Sequence, residues 1–116
     1  MIPPGLGRTN EDKESEMVHH IVIWRLKKDF SPEERAGALG AVKKEAAALK
    51  TIDGVVSFTL TTKVHERTNL GADLLLHSTH RTQPDLDMYY DHPVHTSFVE
   101  RIQPYLDSRD RIDFED

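Results

Sequence analysis

Residues 89–95, with the sequence YYDHPVH, bring together side chains that commonly carry proton chemistry. The segment holds two imidazoles, two phenols and one carboxylate around a proline. Histidine has an unperturbed pKa near neutrality, so it can move protons, bind a metal or sense pH. A phenol can donate a hydrogen bond to an oxygen that gains negative charge. The segment is therefore the first candidate for a functional site.

A metal site is the alternative chemistry for the same segment. His92 and His95 stand three residues apart and Asp91 adjoins them, and all three are ligand types that zinc accepts. Pro93 interrupts a helix between the two histidines, and the chain has neither an HExxH motif nor a cysteine. We therefore expect no metal. No residue calls for an organic cofactor either, and no serine stands in a nucleophile elbow.

Composition limits the classes of function. The 116 residues suit one domain, with 37% hydrophobic and 30% charged residues and a net charge of −5. No block of lysine or arginine stands out, so we expect no nucleic-acid partner. No apolar run approaches the ~20 residues of a membrane span, so we expect no membrane association. The absence of cysteine excludes disulfides and thiolate chemistry and fits a cytoplasmic protein.

The N-terminal region differs from the rest of the chain. Residues 1–16 contain two prolines, two glycines and a run of four charged residues, with few side chains able to pack. We interpret them as a flexible extension. The folded domain is expected at residues 17–116.

The elements that must position the histidine segment begin with a strand at residues 20–26. His20, Val22 and Trp24 share one of its faces. Ser31 then starts a helix with the pattern of a capping box, and Gly37 and Gly40 interrupt that helix. We expect the two glycines to weaken it and to permit close approach of another element.

The remaining pattern completes the order β-α-β-β-α-α-β. Strands are predicted at 55–64, 73–80 and 111–115, with a loop at 65–71. A short helix at 82–90 is followed by a second helix between Pro93 and Pro104. This order predicts an α+β, ferredoxin-like split βαβ sandwich with a four-stranded antiparallel sheet. Helices on one face leave the other face bare, and a second copy of the chain is expected to cover it.

Five pieces of the chain, in this order and spacing, resemble the stress-responsive A/B barrel (dimeric α/β barrel) domain family. They are HIVIWRLK at 20–27, IDGV at 52–55, DLLL at 73–76, YDHPVH at 90–95 and DFE at 113–115. The resemblance covers residues 17–115. It implies a homodimer of ferredoxin-like subunits, and many members of the family have no assigned activity.

Some relatives in that family are cofactor-free polyketide cyclases, and the resemblance implies site residues. The second histidine of their His-Pro-x-His motif is a general base, a tyrosine six residues earlier assists, and a histidine of the first strand lies nearby. Carried over, these roles fall on His95, Tyr89 and His20. The chain departs from the family pattern at His80, where an aromatic residue is usual, and at His77.

The catalytic hypothesis assigns His95 as base, Tyr89 as oxyanion donor and His20 as the residue that orients the substrate. The side chains expected to bind the ligand are Trp24, Tyr90, His92 and Phe98. Each has a structural alternative: His92-Pro93 is also a helix-start device, and a buried tyrosine or histidine can simply be a core residue.

Three functions therefore stay open for a stress-responsive A/B barrel protein of uncertain activity with a small-molecule pocket between sheet and helices. The first is a cofactor-independent enzyme, similar to a polyketide cyclase or an isomerase. The second is a non-catalytic protein that binds an apolar small molecule. The third is an assembly protein built from dimers.

Overall fold

The computed structural model describes residues 16–65 and 67–116, so nearly all of the predicted extension at 1–16 lies outside it. The helices and strands follow the predicted order: β1 (Val18–Leu26), α1 (Pro32–Ala46), β2 (Val55–Thr61), β3 (Leu74–His80), α2 (Gln83–Asp91), α3 (Pro93–Ile102) and β4 (Leu106–Glu115). Short 3₁₀ turns follow α1 at Ala47–Thr51 and α3 at Gln103–Tyr105.

The four strands form one antiparallel sheet in the order β2-β3-β1-β4. This is the ferredoxin-like arrangement that the sequence predicts. β1 lies between β3 and β4, so the residues of β1 are paired on both sides. His20 is opposite Ser78 of β3 and Asp113 of β4.

The helices cover the face of the sheet to which His20, Val22 and Trp24 point. The core lies between them, and its largest fully buried apolar side chains are Tyr89, Leu49, Leu74, Leu76, Leu86 and Ile102. The opposite face carries the alternate residues of each strand. On that face Ile112 and Phe114 of β4 are 59% and 41% exposed, an unusual exposure for large apolar side chains on neighbouring positions of one strand face.

The start of α1 is fixed by the predicted capping box. Ser31 Oγ accepts a hydrogen bond from the backbone N–H of Glu34 at 3.1 Å, and Glu34 Oε1 accepts one from the N–H of Ser31 at 2.9 Å. The expectation that Gly37 and Gly40 permit a close approach is wrong. A Cβ atom at either position would meet no atom of the described chain within 4 Å, because both glycines lie on the solvent side of the helix.

The second helical region is broken in two at His92-Pro93. His92 ends α2 and is also the N-cap of α3, with extended backbone angles. Proline disfavours helical angles in the residue before it, and it suits the first turn of the helix that follows. The break turns the chain so that Tyr89 and Tyr90 on α2 and His95 on α3 lie on the sheet side.

β4 begins five residues earlier than its predicted start at Arg111. Arg25 of β1 pairs with Ser108, but the next residue, Leu26, pairs with Leu106. Asp107 is therefore an extra residue in β4, which makes a β-bulge. Charged residues dominate the strand and obscure its alternation, and this is why the sequence pattern reveals only its last part.

Candidate functional site

A cavity of about 60 Å³ lies between the sheet and the two helices α2 and α3. Six residues singled out in the sequence line it: His20, Trp24, Tyr89, Tyr90, His95 and Phe98. They come from β1, α2 and α3. On its β4 side the cavity is bordered by two exposed side chains, Arg109 and Arg111. A cavity of this size holds a few water molecules or a small reactive group, and not a bulky molecule.

His95 is held in one tautomer by the backbone of α2. Its Nδ1 lies 3.1 Å from the carbonyl oxygen of Tyr90. A carbonyl only accepts hydrogen bonds, so Nδ1 carries the proton and Nε2 keeps its lone pair. Burial lowers the pKa of His95 below its usual 6.5, although the bond to Tyr90 opposes this effect. The side chain is therefore a neutral imidazole with a free basic nitrogen at neutral pH.

His20 is bound to Asp113 of the neighbouring strand. Its Nδ1 lies 2.7 Å from Asp113 Oδ1, and the hydroxyl of Tyr90 lies 2.9 Å from the same Nδ1. Tyr90 donates to Asp113 Oδ2 at 2.8 Å. An ionised carboxylate only accepts, so His20 Nδ1 carries a proton and its Nε2 is an acceptor. Burial lowers the pKa of His20, while the bond to Asp113 opposes that shift.

Tyr90 is committed to Asp113 as a donor. Burial raises the pKa of its phenol, and Asp113 raises it further. The guanidinium carbon of Arg111 lies 4.7 Å from the centre of the Tyr90 ring, a cation–π distance. Asp113, Tyr90 and Arg111 thus fix the β4 side of the cavity around His20.

Two buried donors at the cavity have no protein acceptor. Tyr89 is 0% exposed and Trp24 is 3% exposed. The hydroxyl of Tyr89 and Nε1 of Trp24 make no hydrogen bond within the described residues. Burial raises the pKa of Tyr89, so its phenol stays protonated. Buried polar atoms without partners are uncommon in folded proteins and cost about 1–3 kcal/mol each.

The aromatic rings around these donors pack edge to face or, for Tyr89 and His95, tilted to each other. Tyr89 lies with its ring centre 4.8 Å from that of His95 and 5.6 Å from that of His20. Trp24 meets Phe98 at 5.9 Å. The Tyr89 ring therefore stands between the two histidines that the resemblance pairs with it.

His92 lies outside the cavity. Its Nδ1 accepts a hydrogen bond from the backbone N–H of Val94 at 3.0 Å, so its imidazole caps α3. Of the two interpretations of His92, this geometry supports the helix-start device over ligand contact.

Three charged residues of the site escaped the sequence-based prediction. Asp113, Arg109 and Arg111 all belong to β4 and face the helices, because they pair with His20, Trp24 and Val22 respectively. Their alternate spacing is visible in the sequence. Their partners depend on the register between β1 and β4, which the bulge at Asp107 shifts.

His80 packs as an aromatic core residue beneath this site. It is 0% exposed, its Nε2 lies 2.9 Å from Ser78 Oγ, and its ring centre lies 5.0 Å from that of Tyr89. Burial, and less strongly the nearby His20, lower the pKa of His80 to about 4. His80 therefore packs here as a neutral ring at neutral pH.

Two general features concern the described part of the chain, residues 16–65 and 67–116. In that part of the chain, histidine and carboxylate side chains form no group of three arranged to hold a metal ion. Nor does that part contain a helix with the length and apolar character needed to cross a membrane.

Comparison with known proteins gives a family and a set of similar folds. The family model described as "Stress responsive A/B Barrel Domain" matches residues 18–116. No curated protein matches the chain. Since the family model covers most of the sequence, the chain belongs to the stress-responsive A/B barrel domain family.

Solved structures share the fold. A dimeric protein of unknown function with a ferredoxin-like fold from Bacteroides fragilis has a TM-score of 0.76 at 24% identity, over 86% of this chain and 96% of that one. A Dabb family protein from Mesorhizobium loti has a TM-score of 0.65 at 26% identity, over 85% and 95% of the two chains. A hydroxynitrile lyase from Passiflora edulis has a TM-score of 0.71 at 18% identity, over 88% and 94%.

Proposed function

We propose that this member of the stress-responsive A/B barrel family is a homodimeric, cofactor-independent enzyme that moves a proton next to a carbonyl group. The observation that supports the proposal is the convergence of a neutral base, His95, and a buried phenol, Tyr89, on one cavity. A second histidine, His20, is oriented there by a carboxylate. We keep the cytoplasm as the proposed location, which a chain without cysteine fits.

The roles follow from the protonation states. His95 Nε2 takes a proton from the carbon beside the carbonyl, and the electron pair moves to the carbonyl oxygen. Tyr89 donates a hydrogen bond to that oxygen as its charge grows. His20 accepts a hydrogen bond at Nε2 and so orients the substrate. A base of this kind contributes roughly 10²–10⁴ in rate, and an oxyanion donor roughly 10²–10³.

The size of the cavity decides between substrates of this reaction class. About 60 Å³ accepts a carbonyl and its neighbouring carbons, whereas pockets that enclose drug-sized ligands measure about 300–1,000 Å³. We therefore favour a small carbonyl compound over a long polyketide chain. The hydroxynitrile lyase among the similar structures supports the proposal in one respect, since it is an enzyme of the same fold.

The homodimer is proposed from the bare face of the sheet. No helix of the described chain covers this face. Its apolar side chains are Ile21, Ile23, Leu75, Ile112 and Phe114. Two copies packed sheet to sheet would bury these side chains and leave each cavity on the outer, helical side. The dimeric state of the protein from Bacteroides fragilis supports self-association of this chain.

Exchange of the carbon-bound proton for deuterium tests the reaction. Small ketones and aldehydes are incubated with the protein in D₂O, and the signal of the α-proton is followed by NMR. His95→Asn is the decisive variant, because its amide can still donate to the Tyr90 carbonyl but cannot act as a base. We expect exchange to fall by roughly 10²–10⁴, while His65→Gln, at an exposed loop histidine, exchanges normally.

The outcomes separate the three hypotheses. Equal exchange by the folded His95→Asn protein would remove the base assignment. Binding of a compound without exchange would favour a non-catalytic binding protein. Concentration-dependent species larger than a dimer would favour assembly.

A further inference from the structure

The β4 side of the cavity carries two positive charges. Arg109 and Arg111 alternate with Asp110 along the strand and point to the helical side, opposite Trp24 and Val22. Both guanidinium groups belong to exposed residues that line the cavity. A net charge of −5 for the whole chain makes such a local positive border unusual.

Neither of these two charges makes an ion pair with a carboxylate of the described chain. On the other face of the same strand, Arg25 pairs with Asp110 at 2.9 Å. Within residues 16–65 and 67–116, by contrast, neither Arg109 nor Arg111 has a carboxylate oxygen within 4.0 Å in an ion pair. Asp113, on the same face of the strand, directs its oxygens to His20 and Tyr90.

The buried end of the cavity provides hydrogen-bond donors, and the described residues that line the cavity include no carboxylate. The unpartnered atoms there are the hydroxyl of Tyr89 and Nε1 of Trp24, and an indole N–H only donates. The cavity thus offers guanidinium groups at its border and, inside, these two donors beside the acceptor nitrogens of His20 and His95. The complement of such a site is a ligand rich in acceptors and negatively charged. Arginine's planar fork suits carboxylates, which it can bind through two hydrogen bonds.

We propose that the ligand of this site is a small oxo acid, with its carboxylate held by Arg109 and Arg111 and its carbonyl directed to Tyr89. This assignment rests on the proposed function for the carbonyl but not for the carboxylate. It differs from the expectation of an apolar ligand, which stays a prediction. The carboxylate lies toward solvent, where its charge keeps part of its hydration, and the reacting carbon lies beside His95.

The effect of the two arginines on the pKa of His95 also agrees with this arrangement. Both charges act on His95 and lower its pKa, after the larger effect of burial. A bound carboxylate would neutralise them and make the base stronger when substrate is present. The site therefore gains basicity from the ligand that it recognises.

Matched pairs of acid and ester test the proposal. Binding of pyruvate, phenylpyruvate and the methyl ester of each is measured by NMR titration of the full chain. We expect at least one acid to bind about tenfold more tightly than its ester, the size of one charge-assisted contact. Arg109→Gln combined with Arg111→Gln should abolish that difference. Arg101→Gln, which removes an exposed charge on α3 paired with Glu45, should preserve it.

The single variant Arg109→Gln keeps the test valid if the double variant unfolds, because Arg109 makes no stacking contact with Tyr90 in the structure. Equal binding of acids and esters, or preference retained in the arginine variants, would overturn the proposal. Acid binding that depends on the arginines without any proton exchange would uphold the anion site and overturn the enzymatic function. Proton exchange in neutral ketones, without tighter binding of acids than of esters, would uphold the enzymatic function and overturn the anion site.

Discussion

The buried hydroxyl of Tyr89 contributes nothing to the stability of the fold. It has no hydrogen-bond partner within the described residues, and burial keeps it protonated. An orphaned donor of this kind lowers stability, yet it is what a developing oxyanion requires. Stability and activity therefore make opposite demands on this one atom.

Replacing Tyr89 by Phe should separate the two demands. We expect the free energy of unfolding to stay constant or to rise by about 1 kcal/mol, because a buried unsatisfied group is removed. Deuterium exchange should fall by roughly 10²–10³. Urea titration and the NMR assay measure the two quantities. A destabilised Tyr89→Phe protein with full exchange would show that the hydroxyl has a structural partner and no chemical role.

His80 should make the fold sensitive to acid. Its pKa is about 4 in the folded chain, against a usual value of 6.5. Between these values the unfolded chain binds more protons, so stability is full above pH 6.5 and is lost as the pH falls toward 4. The loss amounts to about 3 kcal/mol, at 1.36 kcal/mol for each pKa unit.

The variant His80→Phe tests this dependence, because phenylalanine retains a ring and does not titrate. Unfolding free energies are measured by urea titration from pH 7 to pH 4. The variant should show a shallower decline than the parent chain, while His65→Gln should decline as steeply as the parent. Parallel curves for His80→Phe and the parent would mean that other groups cause the acid sensitivity.

At the scale of elements, local patterns predicted the helices better than the last strand. Ser31, Glu34 and Pro32 specify the start of α1 by short-range rules, and the structure shows those bonds. β4 depends instead on pairing with β1, which lies far away in the sequence. The hydrogen bond between Asp113 and His20 therefore could not be predicted from the sequence, although the position of Asp113 in the last strand was predicted.

The junction between α2 and α3 depends on a single imidazole cap. His92→Ala should lower the free energy of unfolding by about 1 kcal/mol, because the N–H of Val94 loses its acceptor. Asparagine is a good N-cap residue, so His92→Asn should restore most of that loss. Thermal and urea unfolding check the pair. Equal stability of all three proteins would show that the cap contributes nothing.

At the scale of the whole molecule, the sheet has one face for the cavity and one for a partner. The partner face also carries His19, whose Nδ1 lies 2.9 Å from His77 Nε2 and whose ring stacks on Phe114 at 4.6 Å. His19 lies on this face because it alternates with His20 along β1. The proposed packing of two copies is inferred from the uncovered apolar side chains, because no local sequence motif indicates it.

Charge on the partner face should prevent self-association. Ile112→Lys places an ammonium among apolar side chains, and we expect it to be a monomer in sedimentation velocity at micromolar concentration, where we expect the parent chain to be a dimer. Met88→Lys is the matched control, since Met88 is 62% exposed on α2. It should remain dimeric. A monomeric parent chain would contradict the proposed sheet-to-sheet dimer.

The extra residue at Asp107 has a consequence for how this protein can change during evolution. It lets Leu106 contact the core while Arg109, Arg111 and Asp113 still point the same way. Loss of the Asp107 codon would leave Leu106 two positions before Arg109, the spacing at which a regular strand places both on one face, so none of these side chains would be reversed. A deletion of one residue should therefore be tolerated at Asp107 but not at Asp110, where it would put Arg109 and Arg111 on opposite surfaces.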